Sequence, residues 1–566
     1  MPFHRKKPFS AKKKKVQLQS KRATKREQHS ENDVDWNSPE DQPIVASAKP
    51  AFKLQQPVAG DGRNKLTSQF DKLSRVEIEA NKRRSMQPLK RLDPREGLIM
   101  SFDQAYSADV DIPVRPEWEY GESKEQLEER ELEYFNGWLE RLQESKDESA
   151  VSLYEKNLEV WRQLWRVVEI SDIMLLIVDI RHPVLHFPPS LYRYITETTG
   201  KPLVVVLNKI DLVAETTVQA WMHYFKQKFP SVVLTRFRCF KDQALVDDTK
   251  LADMKMRKSR PRKRTHDARL VGDLFAACRS VCEKSKLDLV DWNELIARYT
   301  DDAEEEDEDE DEDKDEQDGS SDEEESDVEE MENTGHGERV NSKYVTLGLV
   351  GHPNVGKSTI INSIMQRTVV STSRTPGHTK HFQTIHVTPT LRLCDCPGLV
   401  FPCVVERPMQ VLAGLYNIAQ VQEPYTSVMY LAERVPVERI LTLQPPVDNP
   451  DLLQGIDYKW SAWSICEAFA YERGFYTSKG ARPDVYRAAL HILRWVLDGR
   501  ILLSFKPPNF FDSLEYLRAA AKEEEQQSRG QESKDSSTHE ASSDDEDSPQ
   551  PVAQQSMFAL LGEESC

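Results

Sequence analysis

Hydrophobic residues are scarce in this chain, and they form no long runs. They make up 38% of the 566 residues, and the mean hydropathy is -0.64. The longest apolar stretches, near 173–178 and 203–207, are much shorter than the roughly 20 residues of a membrane-spanning helix. The amino terminus is basic and polar, unlike a secretory leader. We therefore expect a soluble intracellular protein without a membrane contact, much of which does not form a packed core.

Cysteine spacings typical of zinc ligands or redox centres are also absent. The eight cysteines include no pair separated by two residues. A compartment in which thiols stay reduced accounts for such a pattern. We therefore expect free thiols and no disulfides.

Charge, by contrast, is abundant and concentrated in blocks. The formal net charge is -19, yet residues 301–330 alone hold 22 acidic residues and one basic residue, Lys314. Residues 1–30 are the opposite, with 11 Lys or Arg and one Glu. Such blocks cannot be buried, so they act as solvated tails or as contacts for charged partners.

Composition and periodicity divide the chain into seven regions. Short apolar runs alternate with helix-length segments between 169 and 402, which is typical of a parallel sheet covered on both faces. The predicted regions are a basic, mostly disordered segment (1–110), a helical extension (111–168), the first half of an α/β domain (169–300), an acidic disordered linker (301–340), the second half of the α/β domain (341–402), a helical domain (403–510) and a disordered acidic tail (511–566).

A glycine-rich loop carries the most specific single motif. Gly351-x4-Gly356-Lys357-Ser358 follows a predicted strand at 345–350 and opens a helix. In such a loop the backbone N–H groups surround phosphates, the lysine reaches the β- and γ-phosphates, and the serine binds Mg²⁺. A chance match is the alternative, which the strand before and the helix after disfavour. The residues predicted to bind GTP here are Gly351, Asn354, Val355, Gly356, Lys357, Ser358 and Thr359.

Two further segments match the parts that sense the γ-phosphate. Asp395-Cys-Pro-Gly398 follows a predicted strand, where the aspartate can hold a Mg²⁺-bound water and the glycine N–H can turn toward the γ-phosphate. Thr379 is predicted to place its hydroxyl on Mg²⁺ together with Ser358. The alternatives are a common turn for the first segment and an ordinary loop threonine for the second.

Base recognition is predicted at Asn208-Lys209-x-Asp211, after a valine-rich strand. Asp211 can accept hydrogen bonds from the ring N–H and the exocyclic amine of guanine, whereas adenine would leave the buried carboxylate unpaired. An ATPase is therefore disfavoured. A surface turn is the alternative for the bare tetrapeptide.

The order of these motifs is reversed relative to an ordinary GTPase. The base motif precedes the phosphate loop by about 140 residues, whereas it normally follows. Because domain termini usually lie close together, they can be joined and the chain opened elsewhere while the sheet is kept. The acidic linker falls at the expected join, where a long loop costs little entropy.

This arrangement resembles the circularly permuted GTPases of the YlqF/YawG group, which serve ribosome assembly. The resemblance covers about residues 115–505. It implies an α/β fold with a circularly permuted Ras-like P-loop GTPase domain, an N-terminal helical extension, a C-terminal helical domain and disordered charged tails. It rests on Asp179-x-Arg181-x-Pro183, Asn208–Asp211, Gly351–Thr359, Thr375–Thr379, Asp395–Gly398, Arg482–Ala489 and Asp498–Ile501.

The resemblance also implies how hydrolysis proceeds. Lys357, Thr379 and Gly398 are its expected catalytic residues. Leu399 stands where Ras-like enzymes place a water-orienting glutamine, so the resemblance implies slow hydrolysis. Asn354 matches an asparagine that binds an activating K⁺ in related enzymes.

Two weaker matches stay open. His378 is a candidate polar helper for hydrolysis, with a loop histidine of no catalytic role as the alternative. The loop that supports the base has no clear match, and Thr235 is the stand-in.

The function predicted is a GTP-binding protein with slow hydrolysis, acting as a switch in large-subunit biogenesis. Its implied cofactors are GTP, Mg²⁺ and K⁺, and its implied partners are the pre-60S particle and rRNA. The alternative is a nucleotide-gated adaptor or signalling scaffold with negligible turnover.

The charged segments suggest further contacts, with a solvated charge run as the alternative for each. The basic runs at 12–15 and 255–264 are candidates for rRNA contacts or for an import receptor, which predicts shuttling between nucleus, nucleolus and cytoplasm. Ser542, followed by acidic residues, is a candidate phosphorylation site. A basic side of the helical domain is predicted at Lys479, Arg482, Arg487, Arg494 and Arg500.

Overall fold

The computed structural model describes eleven stretches of the chain. They are residue 70 and residues 73–107, 110–118, 121–144, 152–239, 269–305, 343–373, 376–377, 379–446, 458–477 and 482–513. None of the helices in these stretches is long and apolar enough to cross a membrane. The basic runs at 12–15 and 255–264, most of the acidic linker, and the tail with Ser542 lie outside them.

In the described part of the chain, five helices precede the first strand: α1 (Arg75–Ser85), α2 (Pro94–Gly97), α3 (Phe102–Ala105), α4 (Lys124–Glu144) and α5 (Leu158–Ile170). The prediction that residues 1–110 are mostly disordered is wrong at its carboxyl end, because α1–α3 lie there. The Phe102 ring packs 5.2 Å from that of Phe229, and Met100 N–H donates to the Lys506 carbonyl at 3.1 Å. The partners of this segment are remote in sequence, which is why local periodicity does not reveal it.

A six-stranded sheet forms the centre of the molecule. Its spatial order is β3-β2-β1-β4-β6-β5, and all neighbours are parallel except β5 and β6. The strands are β1 (Ile173–Asp179), β2 (Leu203–Asn208), β3 (Val233–Arg236), β4 (Val345–Val350), β5 (Gln383–His386) and β6 (Leu391–Asp395).

The sheet is closed across the two halves of the sequence. β1 pairs with β4, with Ile173 opposite Leu347 and Leu176 opposite Val350. From β1 the chain runs outward through β2 to β3, and from β4 it passes to the edge strand β5 on the other side and returns to β6 beside β4. The junction of β1 and β4 is thus the point where the strand order reverses, which is where open α/β sheets bind ligands.

Helices cover both faces of this sheet. After β1 come α6 (Pro183–His186) and α7 (Pro189–Arg193), and after β2 comes α8 (Glu215–Lys228). Between β3 and β4 lie α9 (Arg269–Val281), α10 (Lys284–Leu287) and α11 (Trp292–Glu305), and α12 (Lys357–Met365) follows β4. Ile173, Leu175 and Ile177 face a core shared with α9, α11 and α12. The residues of β1 that alternate with these three lie on the other face of the sheet and are also fully buried. Burial on both faces is expected for a parallel strand that is covered by helices on both sides.

Helices dominate the chain after β6. They are α13 (Arg407–Leu412), α14 (Tyr425–Arg434), α15 (Val437–Ile440), α16 (Ala462–Glu472) and α17 (Val485–Leu497). Of the aromatic residues that periodicity suggests for this core, Phe469 and Trp495 are buried, whereas Tyr486 is 39% exposed. Leu89 N–H donates to the Trp460 carbonyl at 2.8 Å, so the α1–α3 segment packs on this helical region.

Candidate nucleotide site

Four strand ends meet at one edge of the sheet. β1 ends at Asp179, β2 at Asn208 and β6 at Asp395, and β4 leads directly into Gly351. Parallel strands deliver their carboxyl ends to the same edge, so residues from both halves of the chain converge there. The sequence motifs predicted to bind nucleotide lie at these ends.

The phosphate loop has the backbone of a compact anion-binding turn. Gly351, Asn354 and Gly356 have φ angles of 147°, 58° and 103°. A Cβ at Gly356 would lie 2.4 Å from Asn208 Nδ2, so a side chain there would displace the base motif. The loop ends at the amino terminus of α12, whose unpaired N–H groups favour an anion.

Lys357 lies over this loop. Its Nζ donates to the carbonyls of Gly351 at 2.9 Å and His352 at 2.8 Å. Burial lowers the pKa of Lys357, and the Asp395 carboxylate opposes part of that shift. The ammonium group is thus held at the loop by neutral carbonyls, which an anionic phosphate can replace.

A corner of hard oxygen donors lies beside the loop. Ser358 Oγ donates to Asp395 Oδ2 at 2.7 Å, and Ser358 Oγ lies 3.4 Å from Thr379 Oγ1. Asp395 Oδ1 is buried and has no hydrogen-bond partner among the described residues. Burial raises the pKa of Asp395, although Lys357 and Ser358 oppose that shift. An unpaired buried carboxylate oxygen next to two hydroxyls matches the oxygen ligands that Mg²⁺ prefers.

The base motif is bonded directly to the phosphate loop. Asn208 Nδ2 donates to the Val355 carbonyl at 2.7 Å, across 147 residues of sequence. Asn208 Oδ1 accepts the Lys209 N–H at 2.8 Å, which holds Lys209 in a left-handed conformation with φ of 64°. Lys209 Nζ donates to the Asn354 carbonyl at 2.7 Å. These bonds bring together the two motifs that the sequence separates.

Asp211 lies just beyond them, on a 3-10 turn spanning Ile210–Leu212. Its side chain is exposed. A base seated on Asn208 and Lys209 would itself have to bury it.

A cleft of about 70 Å³ opens over the phosphate loop. Asn354, Lys357, Ser358, Thr379 and Gly398 are among the residues that line it. The polar run Ser371–Ser373 also lines it, although the motifs do not identify it. The three adjacent hydroxyl side chains of this run are the sequence feature that could have identified it.

Known proteins share this arrangement over nearly the whole chain. Guanine nucleotide-binding protein-like 1 of Homo sapiens is 42% identical over 533 residues, which is 89% of this chain and 86% of that protein. The chain belongs to the YlqF/YawG group of circularly permuted GTPases. It is a GTP-binding protein.

Three further comparisons give similarities to parts of this chain. The family model described as 50S ribosome-binding GTPase matches residues 346–434. The Drosophila melanogaster large subunit GTPase 1 homolog is 34% identical over 406 residues, or 70% of this chain and 64% of that protein. The crystal structure of GNP-bound YlqF from T. maritima aligns with 62% of this chain and 98% of its own, at 16% identity and a TM-score of 0.30.

The loop that supports the base motif in this GTPase is not the one expected. Thr235 lies within β3, opposite Val206 of β2, so it is no loop residue. Cys239, in the loop after β3, contacts the base motif instead: its Sγ lies 3.8 Å from Asn208 Oδ1, and its carbonyl accepts a hydrogen bond from Ser363. Burial raises the pKa of Cys239 to about 12, which keeps the thiol neutral. A cysteine in this role carries no motif that sequence reasoning could use.

Leu399, which the sequence predicts to stand in the place of the glutamine, is fully buried. Leu399 is 0% exposed, and its N–H points to the Gly351 carbonyl at 3.4 Å. Phe401 follows, with its ring 5.0 Å from that of His352 and 5.7 Å from that of Trp161. The segment that follows β6 is thus packed into the core. His378, the candidate polar helper, and Thr375 lie outside the described residues.

Proposed function

We propose that this protein is a slowly hydrolysing GTP switch that acts on the large ribosomal subunit during its assembly. The observation that carries the nucleotide site is the bond from Asn208 to the Val355 carbonyl, which unites base motif and phosphate loop. The similarities to the 50S ribosome-binding GTPase family and to the large subunit GTPase 1 homolog of Drosophila melanogaster support the ribosomal part.

The proposed roles follow from the positions of the groups. The backbone N–H groups of residues 351–359 surround the phosphates, and Lys357 exchanges its carbonyl partners for phosphate oxygens. Asn208 and Lys209 support the base, and Asp211 reads its two donors. The residues proposed to contact GTP are Asn208, Lys209, Asp211, Gly351, Asn354, Val355, Gly356, Lys357, Ser358, Thr359, Asp395 and Gly398.

Ser358, Thr379 and Asp395 would hold Mg²⁺, whose charge would neutralise charge that develops on the phosphates. Asn354 is the proposed K⁺ contact. Its Nδ2 donates to the Gly414 carbonyl at 2.8 Å, so its amide oxygen is the atom proposed to face the ion.

Hydrolysis is proposed to be slow because Leu399 stands at the position of the water-orienting glutamine. A buried leucine has no polar atom with which to orient water. Lys357, Thr379 and the Gly398 N–H supply positive charge and orientation around the γ-phosphate.

The burial of Leu399 also favours a second candidate, a nucleotide-gated adaptor or scaffold with negligible turnover. Single-turnover hydrolysis in K⁺ and in Na⁺, with and without pre-60S particles, separates the two. Acceleration by particles or K⁺ supports the enzyme. A rate indistinguishable from spontaneous hydrolysis in all four mixtures supports the adaptor.

A basic surface of the helical region is proposed to contact rRNA phosphates. Arg482, Arg487, Arg494 and Arg500 are exposed. Burial and then Arg494, Arg473, Arg487 and Arg500 lower the pKa of His491, so these guanidinium groups surround one point. Replacing exposed arginines here with glutamine should reduce the salt dependence of particle binding.

We also propose that the protein shuttles between nucleus, nucleolus and cytoplasm through the basic amino terminus, which an import receptor would bind. Fluorescent fusions of the full chain and of a chain without residues 1–30 test this. Identical distributions would exclude the role of that segment.

Sedimentation with cell lysate tests the ribosomal role. The protein is loaded with a non-hydrolysable GTP analogue or with GDP. Co-migration with 60S or pre-60S particles in the analogue state alone supports the switch. Absence from these fractions in both states contradicts it.

A further inference from the structure

A buried ion pair lies directly behind the base motif. Arg181 Nε and Nη2 donate to the two oxygens of Asp179 at 3.0 and 2.8 Å. Asp179 Oδ2 also accepts Lys209 Nζ at 2.7 Å. Arg181 and Asp179 are each 1% exposed. The position of the Lys209 ammonium therefore depends on an arginine that is not part of any nucleotide motif.

The same arginine reaches the helical region. Arg181 Nη1 donates to the Val496 carbonyl at 2.8 Å, across 315 residues. Val496 lies in the last turn of α17, where the helix dipole favours a cation, and its carbonyl also accepts the Gly499 N–H at 3.1 Å. The Arg181 carbonyl accepts the Phe505 N–H at 2.9 Å. The side chain of Arg181 thus bonds the end of α17, and its backbone bonds the segment that follows this helix.

A second path joins the same two regions. Lys209 Nζ donates to the Asn354 carbonyl, and Asn354 Nδ2 donates to the Gly414 carbonyl at 2.8 Å. A Cβ at Gly414 would lie 3.0 Å from Leu497 Cδ2, so this path returns to the end of α17. The contacts form a closed circuit, which we call the Arg181 circuit: Arg181, Asp179, Lys209, Asn354, Gly414 and the end of α17.

Electrostatics stabilise the charged forms in this circuit. Burial by itself would raise the pKa of Asp179, but Arg181 and Lys209 hold it well below its usual range. Burial opposes the charge of Arg181, yet Asp179, Asp211 and Asp498 raise its pKa. Asp211, the proposed base reader, is therefore within electrostatic reach of Arg181.

We propose that Arg181 is a positioning residue for guanine-nucleotide binding, which links Lys209 to the docked end of α17. The proposal rests on the proposed nucleotide site. None of the residues proposed to sense the γ-phosphate, Lys357, Thr379 and Gly398, belongs to the circuit. The circuit therefore responds to occupancy by GDP or GTP alike, whereas the segment after Gly398 responds to the γ-phosphate.

Arg181→Lys in the full-length protein tests the proposal. Lysine keeps the charge but cannot bond both Asp179 oxygens and the Val496 carbonyl together. Affinities for GDP and for a non-hydrolysable GTP analogue should fall by the same factor, about tenfold. The single-turnover rate of GTP already bound, measured in Na⁺ so that the proposed K⁺ contact at Asn354 takes no part, should change less than about twofold, because the circuit omits Lys357, Thr379 and Gly398. If Arg181 only stabilised the fold, its replacement would not lower the affinity for both nucleotides equally while leaving the single-turnover rate nearly unchanged.

Arg115→Lys is the matched control. Arg115 is a partly buried arginine paired with Glu131 at 2.8 Å and Glu169 at 2.6 Å, and among the described contacts it bonds no residue of the circuit. Its replacement should leave both nucleotide affinities unchanged. Wild-type affinity at Arg181→Lys, or a loss confined to the GTP analogue, overturns the proposal. Failure of the wild type to bind guanine nucleotide instead refutes the proposed function.

Hydrogen exchange of the wild type tests the proposal without a variant. The amides of residues 498–501 bond to carbonyls of residues 494–496, beside the Arg181 contact. GDP and the GTP analogue should slow their exchange equally, by about tenfold. Unchanged exchange with both nucleotides refutes the link to α17, even if Arg181→Lys fails to fold.

Discussion

Asn208→Ala should weaken guanine-nucleotide binding by about 100-fold while the protein stays folded. Asn208 is almost completely buried and makes one bond to each side of the site. Its Nδ2 donates to the Val355 carbonyl at 2.7 Å, and its Oδ1 accepts the Lys209 N–H at 2.8 Å. Alanine removes both bonds and leaves their partners in place.

The magnitude follows from those two partners. A buried carbonyl or N–H left without a hydrogen bond costs about 1–3 kcal/mol. Lys209 also has a left-handed backbone, with φ of 64°, which costs roughly 1 kcal/mol for a residue other than glycine. If the base motif of the variant relaxes in the absence of nucleotide, it avoids these free-energy costs. Nucleotide binding must then restore the original geometry, and the cost of doing so lowers the affinity. A total of about 3 kcal/mol corresponds to roughly 100-fold in affinity.

Fluorescence titration with a labelled guanine nucleotide, followed by competition with unlabelled GDP and GTP, measures the effect. Asn157→Ala is the control, because Asn157 is also buried and caps α5 through the Glu159 N–H at 3.1 Å. It should lose about 1 kcal/mol of stability and bind nucleotide normally. Urea unfolding of both variants shows whether each is folded at the assay temperature.

An affinity within about threefold of wild type in a folded Asn208→Ala protein would refute this reasoning. Asn208→Asp then separates the two bonds, since aspartate keeps an acceptor for Lys209 but offers Val355 no donor. A loss close to that of alanine assigns the effect to the Val355 bond. A small loss assigns it to Lys209.

Three further predictions concern the metal corner, the switch glycine and the buried histidines. Asp395→Asn should abolish the gain in GTP affinity on adding Mg²⁺, because the amide brings no charge to the ion. Titration of GTP with and without EDTA measures this gain, and an unchanged gain contradicts the assignment of Asp395 to the metal. Gly398→Ala should slow single-turnover hydrolysis at least about tenfold with little change in GDP affinity, since a Cβ would lie 2.7 Å from Pro353 Cα. An equal loss of hydrolysis rate and of GDP affinity would contradict a γ-phosphate role. Burial lowers the pKa of His186 to about 4, and burial also places those of His182 and His352 well below 6.5. Below pH 6.5 protons therefore bind the unfolded chain first, and the free energy of unfolding should fall by about 1 kcal/mol per pH unit for each histidine down to about pH 4. Urea unfolding between pH 7.5 and 5 measures that slope, which His186→Leu should reduce; a flat profile contradicts the burial.

Most of the sheet could be predicted because its strands are continuous apolar runs. Residues 173–179 read as a buried strand, and β1 is Ile173–Asp179 with every residue buried. The permuted order was predictable too, because each nucleotide motif has its own local spacing. The pairing of β1 with β4 follows from joining those motifs in one site.

The ordered segment at 73–107 and the base-support loop could not be predicted in this way. Leu89 and Met100 bond to backbone groups of Trp460 and Lys506, and no periodic pattern encodes partners so distant. Cys239 replaces the expected support because the backbone after β3 brings it to Asn208. Its residue type alone does not indicate that contact.

The sequence by itself determined the chemistry of this protein. Gly351–Ser358, Asn208–Asp211 and Asp395–Gly398 specify the phosphate, base and switch groups, because short-range backbone geometry depends on neighbouring residue types. The tertiary structure alone decided which distant groups share one charge network. Arg181 meets Val496 across 315 residues, and such a contact results from the packing of whole helices on a sheet. A motif indicates what a loop can bind, whereas the packing of the chain determines which distant residues contact that loop.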